Sequence, residues 1–205
     1  MRNIYPLFSI PIFSNKINIF LQDEKFVSNQ KTEILEPVKN GLISLDKYVL
    51  NKKQLRNLKK DILKEVYFYV YEILNVSKNI KTYINNSWII FHENNHSSQA
   101  HHHSNSFISG VLYFKTPVNS GNIVFHNPYN NYSLNPVLNI PFEKWNQYNS
   151  NTWTIPIEKN QLLLFPSNLF HSVKNNQNSE TRICLSFNIL IKGDLSDTEI
   201  GQFKL

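Results

Sequence analysis

The feature that most restricts this chain is a change of character after Lys81. Short runs of β-branched and aromatic residues recur at 82–91, 107–115, 122–126, 152–157, 161–165, 169–174 and 181–191, with polar or Pro-containing breaks between them. Strands at that spacing belong to a sandwich or a barrel. The last run is the most informative. Side chains two apart share a strand face, so in "RICLSFN" Arg182, Cys184, Ser186 and Asn188 form a polar stripe, while Ile183, Leu185 and Phe187 face the other way. A filled core would show the inverse. An inward Arg is costly unless it meets an anion, and its planar fork suits a carboxylate. The stripe therefore asks for a polar ligand inside a β-fold.

Before Lys81 the pattern is helical. Leu55, Leu58, Ile62, Leu63, Val66, Val70, Ile73 and Leu74 follow the i, i+3, i+4, i+7 rule, which predicts one principal helix over 51–75. Residues 4–14 read as a strand interrupted at Pro6 and Pro11, with no small-residue cleavage site behind it, rather than as a signal peptide. The segment 127–151, rich in Asn, Pro and Tyr, has little periodicity and reads as a long lid or binding loop. With no internal repeat and no linker, the 205 residues make a single domain: helical support at about 51–75 and a barrel at about 82–191.

Charge and composition bound the function. The net charge of +6 raises nucleic acid as a partner, but the basic residues concentrate in "NKKQLRNLKKDILKE", where a solvated helix face explains them. No apolar stretch has the length a membrane helix needs. The lone Cys184 excludes an internal disulfide and points to a reducing compartment, so a cytoplasmic enzyme is the expectation.

Three consecutive histidines, His101 to His103, stand inside the chain in "QAHHHSNSFISGVLYF". By strand parity His101 and His103 project together, and His102 points away and should be replaceable. His-x-His is a two-ligand clip for a transition metal. A third imidazole comes from "LLLFPSNLFHSV", where His171 follows a turn at Pro166–Asn168. The eleven-residue offset from His171 to Arg182 predicts adjacent antiparallel strands, both facing inward. His92, His96 and His126 are further pocket candidates, and Trp88 and Phe91 could cover a substrate.

Taken together, "HHHSNSFISGVLY", "LLLFPSNLFHSV" and "TRICLS" resemble the 2-oxoglutarate/Fe(II)-dependent dioxygenase superfamily. The likeness is greatest to its prolyl-hydroxylase-like branch and to the small oxygenases of bacteria and phages. Those small enzymes carry H-x-H-P-N-S-x-x-S-G-V-x-Y, with Ser104 here in place of Pro. They also carry G-x-L-x-x-F-P-S-x-x-x-H-x-V, with Asn160 here in place of Gly. The resemblance covers most of the chain and is strongest from Trp88 to Asn188. It implies a mainly β fold, a double-stranded β-helix (jelly-roll or cupin-like) of eight core strands with a supporting α-helix packed on one sheet. The implied enzyme is an Fe(II)- and 2-oxoglutarate-dependent dioxygenase. It would use O2 to hydroxylate a C–H bond of a peptide, amino acid or small metabolite, releasing succinate and CO2. By the same resemblance His101 and His171 are metal ligands, Arg182 holds the distal carboxylate of 2-oxoglutarate, and Ser186, Tyr113 and Asn188 assist. A bacterial or phage-infected host cytoplasm is implied.

One position departs from the superfamily pattern. Most members carry Asp or Glu two residues after the first His, and here that residue is His103. No Asp occurs between Asp61 and Asp194, and Glu93, Glu143, Glu158 and Glu180 are not obviously placed to substitute. Either His103 completes a three-histidine face, or the metal has two protein ligands and a water, with His103 standing behind the ligands or serving the substrate. Two other readings remain: a three-His cupin-type dioxygenase that does not use 2-oxoglutarate, and a non-catalytic binding module.

Overall fold

A computed structural model describes residues 2–34, 41–128 and 140–195. Its elements in chain order are β1 (Phe13–Lys16), α1 (Leu21–Ser28), β2 (Thr32–Ile34), β3 (Leu42–Ser44), α2 (Arg56–Tyr67), β4 (Lys81–His92), β5 (Ser98–His101), β6 (Ile108–Lys115), β7 (Ile123–His126), β8 (Thr152–Ile155), β9 (Gln161–Pro166), β10 (His171–Val173) and β11 (Arg182–Lys192). Two antiparallel sheets result. The major sheet has the order β1-β9-β6-β11-β4-β3-β2 and the minor sheet β5-β10-β7-β8. The strands β4 to β11 divide four and four between the sheets, and the short β1, β2 and β3 extend the edges of the major one. This is the double-stranded β-helix expected from the sequence.

The alternation of β11 decides which side of the major sheet does what. Ile183, Leu185, Phe187 and Ile189 face a core built with Leu58, Ile62 and Val66 of α2. Those three are one turn apart on the helix, so Lys59, Lys60 and Lys64 are left outward, and burying each apolar side chain contributes about 1.5–3 kcal/mol. Gly110 on β6 is required here. It pairs with Phe187, and a Cβ on it would stand 2.2 Å from Phe187 Cζ. The opposite face, with Arg182, Cys184, Ser186 and Asn188, lines a cleft between the sheets.

Three sequence expectations are corrected. The predicted 4–14 strand is ordered as strand only in β1 (Phe13–Lys16): Pro6 and Pro11 lack the amide protons a ladder needs, and Phe8 turns the chain with φ 60°. The predicted 51–75 helix is divided. Two 3₁₀ turns, at Val49–Asn51 and Lys53–Leu55, precede α2, and a π-helical segment, Phe68–Ile73, follows it before Asn75 closes the helix with φ 53°. His171 and Arg182 are not on neighbouring strands. His171 lies on β10, paired with β5 and β7, and Arg182 on β11, paired with β4 and β6. The segment between them crosses from one sheet to the other instead of forming a hairpin, so the two side chains reach the cleft from opposite walls. Of the 127–151 loop, residues 129–139 lie outside the described residues, and 140–151 carry no helix or strand. Among the described residues no helix is long and apolar enough to cross a membrane.

Candidate metal and co-substrate site

The cleft has a volume of about 580 Å³ and holds the three predicted imidazoles at its minor-sheet wall. The candidate ligand nitrogens of His101, His103 and His171 all lie within 4.8 Å of one another. Their placement follows from pairing. His101 is directly opposite His171 in the β5–β10 ladder, so both point to the same face. His103, two residues past His101, is fixed by its backbone N–H donating to Ser167 O at 2.9 Å. The ring centroids are 5.4 Å (101–103), 4.4 Å (101–171) and 5.2 Å (103–171) apart.

Each ring is also held in one tautomer. His101 Nδ1 is 2.7 Å from Gln99 O, His171 Nδ1 is 3.0 Å from Leu169 O, and His103 Nδ1 is 2.6 Å from Asn188 Oδ1. Carbonyl and amide oxygens only accept, so each Nδ1 carries the proton and each Nε2 presents a lone pair. Such second hydrogen bonds are the usual companions of metal-ligating imidazoles. Burial favours the neutral form of two of these rings, pushing His171 down to about 3 and His103 below the ordinary histidine range.

On the major-sheet wall Arg182 is 1% exposed. Its Nη1 donates to Ser120 O at 3.3 Å and Gly121 O at 2.7 Å, and Nη2 donates to His92 Nδ1. Gly121 has φ 87°, and a Cβ there would stand 1.9 Å from Lys174 O, so only glycine presents this carbonyl. Accepting from Arg182 fixes His92 as neutral, and burial together with the guanidinium pushes its pKa down to about 2. Its Nε2 is 3.1 Å from Ser98 Oγ. Arg182 Nε is buried with no hydrogen-bond partner. No carboxylate lines the cleft among the described residues: Glu158 pairs with Lys16 and Glu180 with Lys115, both at the surface. A buried guanidinium with no carboxylate beside it among the described residues is suited to receive an anion.

Tyr113 and Cys184 face each other across β6 and β11, fully buried, and burial pushes the phenol and the thiol upward. An un-ionised, enclosed thiol has no nucleophilic role. Ser186 lines the same wall. Asn188 also lines the cleft, but its amide oxygen is taken by His103 and by the Ser109 hydroxyl at 3.0 Å. Trp88 lies 5.8 Å from the His103 ring, at the cleft. Phe91, expected to cover substrate, instead packs in the helix-side core, because it pairs with Ile183 and shares that face. His102 is exposed at the cleft mouth against Phe170, 4.7 Å away. His96 receives the Glu93 N–H, and His126 bonds Ser172. The contact of His92 with Arg182, and those of Ser120 and Gly121 with it, were not visible in the sequence, since the first needs the β4–β11 register. Only the Gly121 itself, in a polar break, was a signal.

Two sheets enclosing three clustered imidazoles and a buried arginine form a jelly-roll cleft whose side chains could hold a metal ion and an anion. Residues 86–188, half of the chain, match the family described as "Putative 2OG-Fe(II) oxygenase", and the chain belongs to that family. It is accordingly an enzyme of the 2-oxoglutarate-dependent oxygenase class. No curated protein sequence matches it. Among solved structures it is similar to HygX from Streptomyces hygroscopicus with nickel, 2-oxoglutarate and hygromycin B bound (TM-score 0.58, 9% identity, 88% of this chain and 82% of that one). It is also similar to a Pseudomonas putida prolyl-4-hydroxylase (TM-score 0.56, 8% identity, 89% and 94%). A third is the epimerase SnoN in complex with Fe3+, alpha ketoglutarate and nogalamycin RO (TM-score 0.57, 12% identity, 88% and 80%). At these identities the likeness establishes the fold.

Proposed function

We propose that the chain is an Fe(II)- and 2-oxoglutarate-dependent hydroxylase whose metal is held by His101, His103 and His171, with Arg182 receiving the distal carboxylate of the co-substrate. The observation that carries this is the pairing, in one cleft, of three Nε2 lone pairs fixed by their Nδ1 partners with a buried guanidinium whose Nε has no partner. Imidazole suits iron, and the absence of a lining carboxylate among the described residues supports His103 as the third ligand. With bound iron, 2-oxoglutarate and O2, the chemistry supplied is decarboxylation to succinate and CO2 coupled to hydroxylation of a substrate C–H bond.

The residues divide the remaining work. Arg182, braced by Ser120 O, Gly121 O and His92, offers charge-assisted donors to a carboxylate, and Ser186 and Tyr113 lie on the same wall to assist. The apolar lining, including Val111, Ile123 and Phe165, excludes water around the reacting centre. Three neutral ligands leave a divalent metal with its full charge of +2, so its retention should be weaker than with a carboxylate ligand.

The substrate fits a peptide, amino acid or small metabolite better than a nucleic acid. The basic face of α2 is on the side of the major sheet away from the cleft, because Leu58, Ile62 and Val66 pack on the face opposite Arg182. A three-His dioxygenase that does not use 2-oxoglutarate has no need of Arg182. Anaerobic titration with Fe(II) and 2-oxoglutarate tests the reading through the visible charge-transfer band, and succinate release separates the two enzymes. Iron binding with no response to 2-oxoglutarate would sink the proposal.

A further inference from the structure

We infer that Asn188 is the positioning residue for His103, and that it works as the end of a buried hydroxyl chain, Ser106–Ser167–Ser109, which lets an imidazole stand where a charged ligand would otherwise be needed. The inference rests on the proposed metal reading and adds to it the means by which His103 is kept ready to bind.

The geometry has three parts. Asn188 Oδ1 receives two donors, His103 Nδ1 at 2.6 Å and Ser109 Oγ at 3.0 Å. Both of its lone pairs are thereby used. The side-chain oxygen therefore faces His103, and the ring proton must be on Nδ1. Ser109 Oγ in turn lies 2.8 Å from Ser167 Oγ, Ser167 Oγ lies 2.9 Å from Ser106 Oγ, and Ser106 Oγ lies 3.2 Å from both Ile108 O and Ile189 O; each hydroxyl has one proton, so Ser109 gives its own to Asn188 and Ser167 donates to either Ser109 or Ser106. Ser109 and Ser167 are fully buried, so water does not compete for these bonds. Finally, Ser167 O accepts the backbone N–H of His103 at 2.9 Å. The same network grips the ring and the backbone of His103, and it does so from the turn that leads into His171.

The physical need is specific to an imidazole. A carboxylate presents acceptor oxygens whichever way it turns and is drawn to a cation by its charge. A neutral imidazole binds metal only through an unprotonated nitrogen, and a flip of tautomer at His103 would put a proton where the metal should be. The chain of Ser106, Ser167, Ser109 and Asn188 removes that alternative. Asn188 differs from an acid at this point by adding no charge to the cleft, in which Arg182 must remain free for an anion.

The test uses the full chain and two readouts. In the metal-free protein, long-range ¹H–¹⁵N spectra of the imidazoles should show His103 as the Nδ1–H form, with Asn188→Leu giving mixed tautomers and Asn188→Asp keeping Nδ1–H. Ni(II), an oxygen-inert probe, should then bind Asn188→Leu roughly 10–100-fold more weakly than wild type, and Asn188→Asp should restore wild-type affinity or exceed it. A purely structural role would not be rescued by the charged variant. If Asn188→Leu does not fold, Ser109→Ala replaces it, with mixed His103 tautomers and weaker Ni(II) binding than wild type expected. Wild-type tautomer and affinity in Asn188→Leu, or in Ser109→Ala where it serves, would overturn the inference while leaving the metal site standing. Failure of the wild type to bind Ni(II) would overturn the metal reading, and the tautomer spectra would still decide what Asn188 does to His103.

Discussion

Replacing Arg182 by Met separates the two things a buried arginine can do. The wild-type guanidinium is 1% exposed, has no carboxylate beside it among the residues lining the cleft, and keeps Nε unbonded. Each charge-assisted hydrogen bond to a carboxylate contributes roughly 1.5–3 kcal/mol. A bidentate contact with 2-oxoglutarate is therefore worth about 3 kcal/mol at the low end, and its loss should weaken 2-oxoglutarate binding by about 150-fold. Stability should respond quite differently. The substitution removes an uncompensated buried charge, which is stabilising, and leaves the Ser120 and Gly121 carbonyls and His92 without their donor, at about 1–3 kcal/mol for each buried acceptor. These oppose each other, so the melting temperature should move by only a few degrees. The assay is isothermal titration of 2-oxoglutarate into the Ni(II)-loaded protein under nitrogen, beside a thermal melt. Undiminished 2-oxoglutarate affinity with a large fall in melting temperature would refute the reasoning, since it would make Arg182 a brace for the β7 side of the barrel and nothing more.

Two other outcomes follow from the structure. Gly110→Ala should lower the melting temperature by several degrees, since its Cβ would sit 2.2 Å from the ring of a fully buried Phe187 and overpacking costs about 1–3 kcal/mol; an unchanged melt would mean that Phe187 does not lie over β6. The metal-free protein should lose stability in acid, because His92 and His171 are held down to about 2 and about 3 in the fold and return to about 6.5 when unfolded. The unfolded chain then binds more protons than the folded one, so stability is complete above pH 6.5 and falls between there and about pH 3, by up to about 1.4 kcal/mol per pH unit for each residue. Denaturant midpoints measured from pH 7.5 to 4.5 check this, and a flat profile would contradict it.

How far the sequence carried depended on whether each element's information was local. The faces of β11 were legible because alternate residues differ in chemistry; His101 and His103 do come together as expected, but β5 ends at His101 and His103 is placed by its bond to Ser167 rather than by strand parity. The three-imidazole cluster was legible as composition, although the position of His171 was reached through a wrong pairing. A turn, a polar break and a strand look the same whether the chain doubles back or crosses to the other sheet, and only the jelly-roll crossover puts His171 opposite Arg182. The N-terminal elements were not legible for a different reason. β2 is three exposed residues, and α1 buries Asp23, which accepts the Phe20 N–H at 3.0 Å, while Leu21 is exposed. Its pattern is set by capping and docking, not by amphipathic spacing. The hold of Asn188 on His103 spans 85 residues and needs coordinates to be seen.

The central claim is that His103 is the third ligand of a metal whose open positions take 2-oxoglutarate. Anaerobic addition of Fe(II) and then 2-oxoglutarate, followed in the visible region, tests it most directly when wild type, His102→Ala and His103→Ala are run side by side. The account predicts a charge-transfer band in wild type and in His102→Ala, whose ring is exposed at the cleft mouth, and loss of the band with much weaker iron binding in His103→Ala. A band of unchanged position and iron affinity in His103→Ala would contradict it.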